Sequence, residues 1–271
     1  MKKIIFIFSA MVLALIPCGN ITAQNTKAAS NKTADQSHDH NEKLPLTTYN
    51  DDFEVFAEAI PFVAGEASSI LGHFTFLSNY KPLEKGSVTI SMTVGTKEVK
   101  QTLNNPTRTG IYLFNLTPPI SGKGKITFEI QTIKGISRLV VPDVMVYTNK
   151  EDAQHAAISA SNEGANGVVF IKEKSWKIDF ATEVVTANLS TKAITIPNSA
   201  IIEEKGKSFV YVQITPEYFE KREIKKGSTS GKSTVVLEGI TNNQRIITKG
   251  TDLVKIEQAK KESKAHAGHS H

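Results

Sequence analysis

The sequence predicts a mostly β chain made of two β-domains in tandem behind an export signal. Three observations predict it. Short runs alternate apolar and polar residues and are broken by Gly, Pro, Asn and Asp. Two such series, at about residues 48–149 and 168–256, are separated by a polar stretch rich in Ala and Ser. The first residues carry a targeting pattern.

Lys2 and Lys3 precede Ile4–Pro17, which is almost wholly apolar. That is the length of a signal-peptide core and too short for a membrane span. Two exits stay open. Cleavage after Ala23 would follow the small-residue pattern Ile21-Thr22-Ala23. Alternatively, Leu15-Ile16-Pro17-Cys18 is a lipobox with Cys18 as the lipidated residue, although Pro17 stands where a small residue is wanted. Cleavage after Ala23 removes the sole cysteine, and with it any disulfide or thiol chemistry. Either exit predicts the periplasm or cell envelope. Residues 24–47 lack apolar periodicity and are expected to be a disordered leader carrying His38 and His40.

In the first series, Phe53–Ala57, Ser69–Phe76, Ser87–Val94, Ile111–Phe114, Lys125–Ile130 and Arg138–Tyr147 read as strands. About seven strands in about 100 residues is the pattern of an immunoglobulin-like sandwich, here without the Cys…Trp…Cys signature. Residues 150–167 read as a linker with a short helix around Glu151–Ala160. Its composition predicts two independently folded domains and a mobile joint near Glu163–Gly167. In the second series the strands are Val168–Ile171, Lys177–Thr186, Ala193–Ile196, Ser208–Ile214, Phe219–Lys225, Thr234–Leu237, Arg245–Thr248 and Leu253–Ile256. Residues 257–271 form a charged tail with His266, His269 and His271.

The formal net charge is +5, but Lys and Arg are scattered, so no nucleic-acid footprint forms. No nucleophile elbow, zinc-protease helix or Ser/His/Asp arrangement is visible, which argues against an enzyme. Gly227–Ser233 comes near a phosphate-binding loop. It has three residues between the glycines where four are needed, and strand-forming residues follow, so it reads as a turn. The tail histidines His38, His40, His266, His269 and His271 are candidate ligands for Cu, Zn, Ni or Co, because imidazoles in one tract chelate without a folded site. No cofactor is required. Met92 and Met145 are expected in the core, Trp176 as a buried anchor and His73 as a structural histidine satisfied by a neighbour.

Four ordered blocks carry a family resemblance. Ile196-Pro197-Asn198-Ser199-Ala200-Ile201 is similar to a "VPxxAV" start, and Ser208–Val212 follows as the family's next strand. Phe219–Gly227 is similar to "FxxRxVxxG", and Val235–Gly250 to "veIxxGLxxGdxVVxxG". These are motifs of periplasmic adaptors, the membrane fusion proteins of resistance-nodulation-division (RND) efflux systems. Upstream, Phe53–Val63, Gly65-Glu66 and His73-Phe74-Thr75 resemble the N-terminal domain of heavy-metal adaptors of the CusB type. Val168–Thr182 resembles the "FxKEQQWxIDFAT" segment that follows that domain. The resemblance implies a small membrane-proximal-type β-barrel in the second half, and an RND inner-membrane pump or a full-length adaptor as partner. It also implies a docking surface on the second domain. Tyr218 and Arg222 are its first candidates, beside Lys205, Lys207, Glu220 and Lys226. One departure is large. Only about 15 residues separate Phe180 from Ile196, where full adaptors hold a β-barrel, a lipoyl-like domain and a long α-hairpin.

Overall fold

The computed structural model describes residues 42–133, 135–161 and 167–267. Eight strands form the first domain: Leu44–Tyr49 (β1), Phe53–Ala59 (β2), Ser68–Phe76 (β3), Ser87–Val94 (β4), Lys97–Leu103 (β5), Ile111–Leu116 (β6), Gly122–Thr132 (β7) and Gly135–Val146 (β8). They make two four-stranded antiparallel sheets, β1-β2-β3-β6 and β5-β4-β7-β8. The inner faces follow the alternation of the sequence. Val88, Ile90, Met92 and Val94 of β4 and Ile126, Phe128 and Ile130 of β7 meet Phe53, Val55, Phe74 and Phe114 in one core. This is the immunoglobulin-like sandwich.

Two strands of the sandwich escape the sequence, and both are at sheet edges. β1 begins at Leu44, inside the stretch assigned to the leader, and its Pro45 is tolerated because one side of the strand is unpaired. β5 is charged and largely exposed, as edge strands that resist further pairing are. Met145 is a further correction, since it is exposed while Met92 is buried. Gly124 pairs with Val144 and Ile126 with Val141, so β8 carries one extra residue there, beside Asp143 at φ +59°. The bulge shifts the alternation by one and turns Val144 and Val146 inward instead of Met145.

Helix α1 spans Lys150–Ser161. Asn149 caps it, accepting from the Asp152 N–H at 2.9 Å while its own amide donates to the Asp152 carboxylate at 2.8 Å. Ala153 and Ala157, one turn apart, are its buried residues. Of the predicted joint, residues 163–166 lie outside the described residues. The Gly167 carbonyl accepts from Lys261 at 2.9 Å.

The second domain contains Val168–Val169 (β9), Lys172–Ser175 (helix α2), Ala181–Val184 (β10), Ile194–Pro197 (β11), Ile202–Glu204 (β12), Lys207–Thr215 (β13), Tyr218–Ser230 (β14), Ser233–Glu238 (β15), Arg245–Lys249 (β16) and helix α3, Thr251–Ala267. The strands form one curled sheet, β10-β16-β13-β14-β15-β11, with β12 on β13 and β9 on β14. β14 pairs β13 along its first half and β15 along its second, with register shifts around Lys226. That bend closes the sheet into a half-barrel. β13 is central and packed on both sides: Val210 and Val212 face one core, Tyr211 the other.

Three predicted elements change. Only Ala181–Val184 of the expected strand Lys177–Thr186 is extended, and a four-residue helix precedes it. Leu253–Ile256 is helical, not extended, and the helix continues through the supposed tail to Ala267. Its buried contact is made by Thr251 and Val254 and then by Gln258, which accepts from the Tyr211 hydroxyl at 2.6 Å. Only Val254 among these is apolar, so the chain shows no helical apolar stripe. Leu253 and Ile256 remain exposed.

The domains are not independent packing units. Tyr80, in a turn at φ +54°, inserts into the core built by Phe170, Phe180, Tyr211 and Phe219, and its hydroxyl donates to the Thr182 carbonyl. Lys81 donates to the Trp176 and Ile178 carbonyls at 2.8 Å each. Gly110, at φ +75°, lets Trp176 approach, because a Cβ there would stand 2.7 Å from the indole.

Candidate functional site

The site grows from strand alternation on β2 and β3. Phe53, Val55, Ala57, Ile70 and Phe74 point into the sandwich core. Their neighbours Glu54, Phe56, Glu58, His73 and Thr75 therefore point to the opposite face. Phe56 lies across from His73, and Glu54 across from Thr75. An outward polar row of this kind normally meets water. Here the second domain covers it, and Glu54, Phe56, His73 and Thr75 are all buried.

Helix α2 lays three side chains on that row. Lys172 forms an ion pair with Glu54, and both are 1% exposed. The second Glu54 oxygen accepts from Gln213 at 3.1 Å. Trp176 donates its indole N–H to Thr75 at 2.9 Å, and its ring lies 5.8 Å from the His73 ring. On its other side His73 stacks with Phe56, also at 5.8 Å. Between Lys172 and Trp176 in sequence, Glu173 reaches the His73 Nε2 at 3.7 Å.

The turn between β13 and β14 supplies Glu217, whose carboxylate accepts the Lys172 backbone N–H at 2.7 Å. Its donor atom and those of His73 and Glu173 all lie within 4.8 Å of one another. Among the described residues this is the group with enough donors to hold a metal ion. Burial pushes the Glu217 carboxyl up to about 7, and the neighbouring Glu58 and Glu173 charges push the same way. Burial and Glu173 also raise Glu58, against the pull of Lys43. Burial holds the His73 imidazole below the ordinary histidine range, with Lys172 helping, against the opposing pull of Glu173 and the Phe56 carbonyl. Burial thus disfavours the charged form of the imidazole where it faces the acidic groups.

The predicted site residues fall elsewhere. Cys18, His38, His40, His269 and His271 lie outside the described residues. His266 is in the last turn of α3, on a helix rather than a free tail. Tyr218 opens β14 and is half-buried, paired with Val169 of β9. Arg222, on the same strand, is bound by Glu220 and only partly exposed. Lys207 pairs with Glu223 at 2.7 Å, and Lys226 with Glu203, so much of this basic surface is neutralised by its own strands. Tyr218, Arg222, Lys207 and Lys226 do not belong to the group of His73, Glu173 and Glu217. The sequence missed Glu173 and Glu217 because positions 73, 173 and 217 share no spacing. His73 was expected to be satisfied by a neighbour: Glu173 lies 3.7 Å from its Nε2 and the Phe56 carbonyl acts on the ring, while its Nδ1 makes no well-formed hydrogen bond.

Residues 193–256 match the family described as YknX, C-terminal permuted SH3-like domain. Two solved structures resemble the chain. One is a 180-residue piece of SilB from Cupriavidus metallidurans CH34, spanning its N-terminal metal-binding site and membrane proximal domain; it is 19% identical, at a TM-score of 0.25, over 45% of this chain and 61% of that one. The other is ZneB from Cupriavidus metallidurans, 13% identical at a TM-score of 0.21, over 68% of this chain and 40% of that one. The chain thus spans less than two thirds of either. No curated protein matches it. The family match takes in β11 to β16 and the first turn of α3. Over that stretch the chain is similar to this permuted SH3-like domain.

Proposed function

We propose that this protein is a periplasmic adaptor-like subunit of an RND-type heavy-metal efflux system of the copper/silver or cobalt/zinc/cadmium class. It docks on the inner-membrane pump, or on a full-length adaptor, through its second domain, and carries metal ions on its histidine-bearing ends. The observation that supports this most is the family match over residues 193–256, which coincides with the four sequence blocks of the adaptor resemblance. Between Phe180 and Ile196 the described chain holds only β10, a loop and the start of β11. The role is therefore that of an accessory piece at the inner membrane and not of a bridge to the outer one.

Docking is tested by co-purification of the cognate pump. The wild type is expected to retain it, and Tyr218→Ala plus Arg222→Ala to lose it with the fold intact. Tyr and Arg are the usual anchors of such surfaces. Equal recovery removes these two residues from the surface, and no recovery with the wild type removes the adaptor role.

A second reading, a free periplasmic metal-binding protein, is favoured by the buried His73, Glu173 and Glu217 group, which needs no pump. The contribution of the ends is measured by calorimetry on the chain from Gln24, with His38, His40, His266, His269 and His271 changed to Ala. Substitution is required because deleting residues 24–44 and 257–271 would cut into β1 and α3. Zn²⁺ uptake is expected to fall by the ions held at the ends. An undiminished stoichiometry would place all binding elsewhere in the chain.

A further inference from the structure

We propose that His73, Glu173 and Glu217 form a binding site for one divalent ion of the zinc or cobalt class, at the seam between the two β-domains. The case begins with a buried histidine turned toward carboxylates. Its side chain is 5% exposed, held between the Phe56 and Trp176 rings. Its Nδ1 is buried without a hydrogen-bond partner. Its Nε2 stands 3.7 Å from Glu173, beyond hydrogen-bond reach. The ring atom that faces the carboxylates is Nε2, and at 3.7 Å from Glu173 it has room to take an ion between itself and the carboxylate.

The spacing fits an ion as that partner. Metal–ligand bonds of 2.0–2.1 Å at tetrahedral angles put donor atoms about 3.3 Å apart. The Nε2–Oε1 gap is close to this, and the wider 4.8 Å limit of the group closes by side-chain rotations of about 1.5 Å. Glu173 has the freedom for that, being about one-third exposed on a four-residue helix, and its exposure gives the ion a way in. Lys172, the nearest cation in sequence, is already committed to Glu54 and does not fill the position. One imidazole with two carboxylates suits zinc and cobalt, and leaves a fourth position for water. The group offers no thiolate or thioether, which soft Cu(I) prefers. The ligands come from β3, α2 and the β13–β14 turn, so the ion would tie the sandwich to the second domain.

Trp176 makes the site observable. It is the sole tryptophan, and its ring lies 5.8 Å from His73. The experiment titrates Co²⁺ into the chain from Gln24 carrying the five terminal His→Ala changes and follows Trp176 emission. Saturable quenching at one ion per chain, reversed by Zn²⁺, is expected. Glu173→Gln and Glu217→Gln should each weaken it at least about tenfold, since even the outer partners of metal ligands contribute that much. Both changes keep side-chain shape, and Gln at 217 still accepts from the Lys172 N–H, so circular dichroism should be unchanged. Absence of saturable quenching in the parent chain, or unchanged affinity in either variant, overturns the site. Pump co-purification does not enter this readout, so failure of the docking role leaves it intact.

Discussion

Replacing Lys172 by methionine is expected to lower unfolding stability by about 3–5 kcal/mol, the cost of leaving one member of a buried ion pair without its partner. Lys172 and Glu54 are both 1% exposed. Without the ammonium group, Glu54 would keep only uncharged neighbours, the Gln213 amide at 3.1 Å and the Tyr49 hydroxyl. A carboxylate at that depth with only neutral donors is an uncompensated buried charge. Adding Glu54→Gln to Lys172→Met removes the stranded charge and should recover most of the loss, since a buried pair is often nearly neutral against uncharged replacements. Urea unfolding measures both. A loss below about 1 kcal/mol for the single change would mean that water reaches the pair despite its burial. The pair joins β2 of the sandwich to α2 of the second domain. The destabilised protein should therefore still unfold in one transition, and two separated transitions would show that the domains fold independently.

Trp176→Ala is expected to cost about 3–5 kcal/mol as well, by a different route. The indole fills the space between His73 and Gly110, and its removal leaves a cavity that the Pro82 turn and α2 cannot both close. It also strands the Thr75 hydroxyl, which is wholly buried and accepts the indole N–H. Unfolding followed by circular dichroism measures the loss. Thr75→Val separates the two contributions: it keeps the ring and removes its acceptor, at about 1–3 kcal/mol. If Thr75→Val costs as much as Trp176→Ala, the hydrogen bond and not the packing holds the seam.

What the sequence determined by itself is local. Period-two alternation is written into β4 and β7, because one face of each is buried and the other is not, and those strands are legible without a fold. The turn glycines and the four adaptor-like blocks are legible for the same reason. Edge strands β1 and β5 carry little inside–outside contrast and were not. Helix α3 packs through Thr251, Val254 and Gln258, too polar a stripe to show its period, so Leu253–Ile256 looked like a strand.

Only the tertiary structure decided the character of the outward face of β2 and β3. Glu54, His73 and Thr75 alternate with core residues as solvent-facing positions do, and nothing near them in the chain says otherwise. Their burial comes from Lys172, Glu173, Trp176, Gln213 and Glu217, about 100 residues or more away. The covering of one domain by another leaves no period and no spacing in either segment. The same docking turns an ordinary polar row into a buried ion pair and a histidine facing two carboxylates.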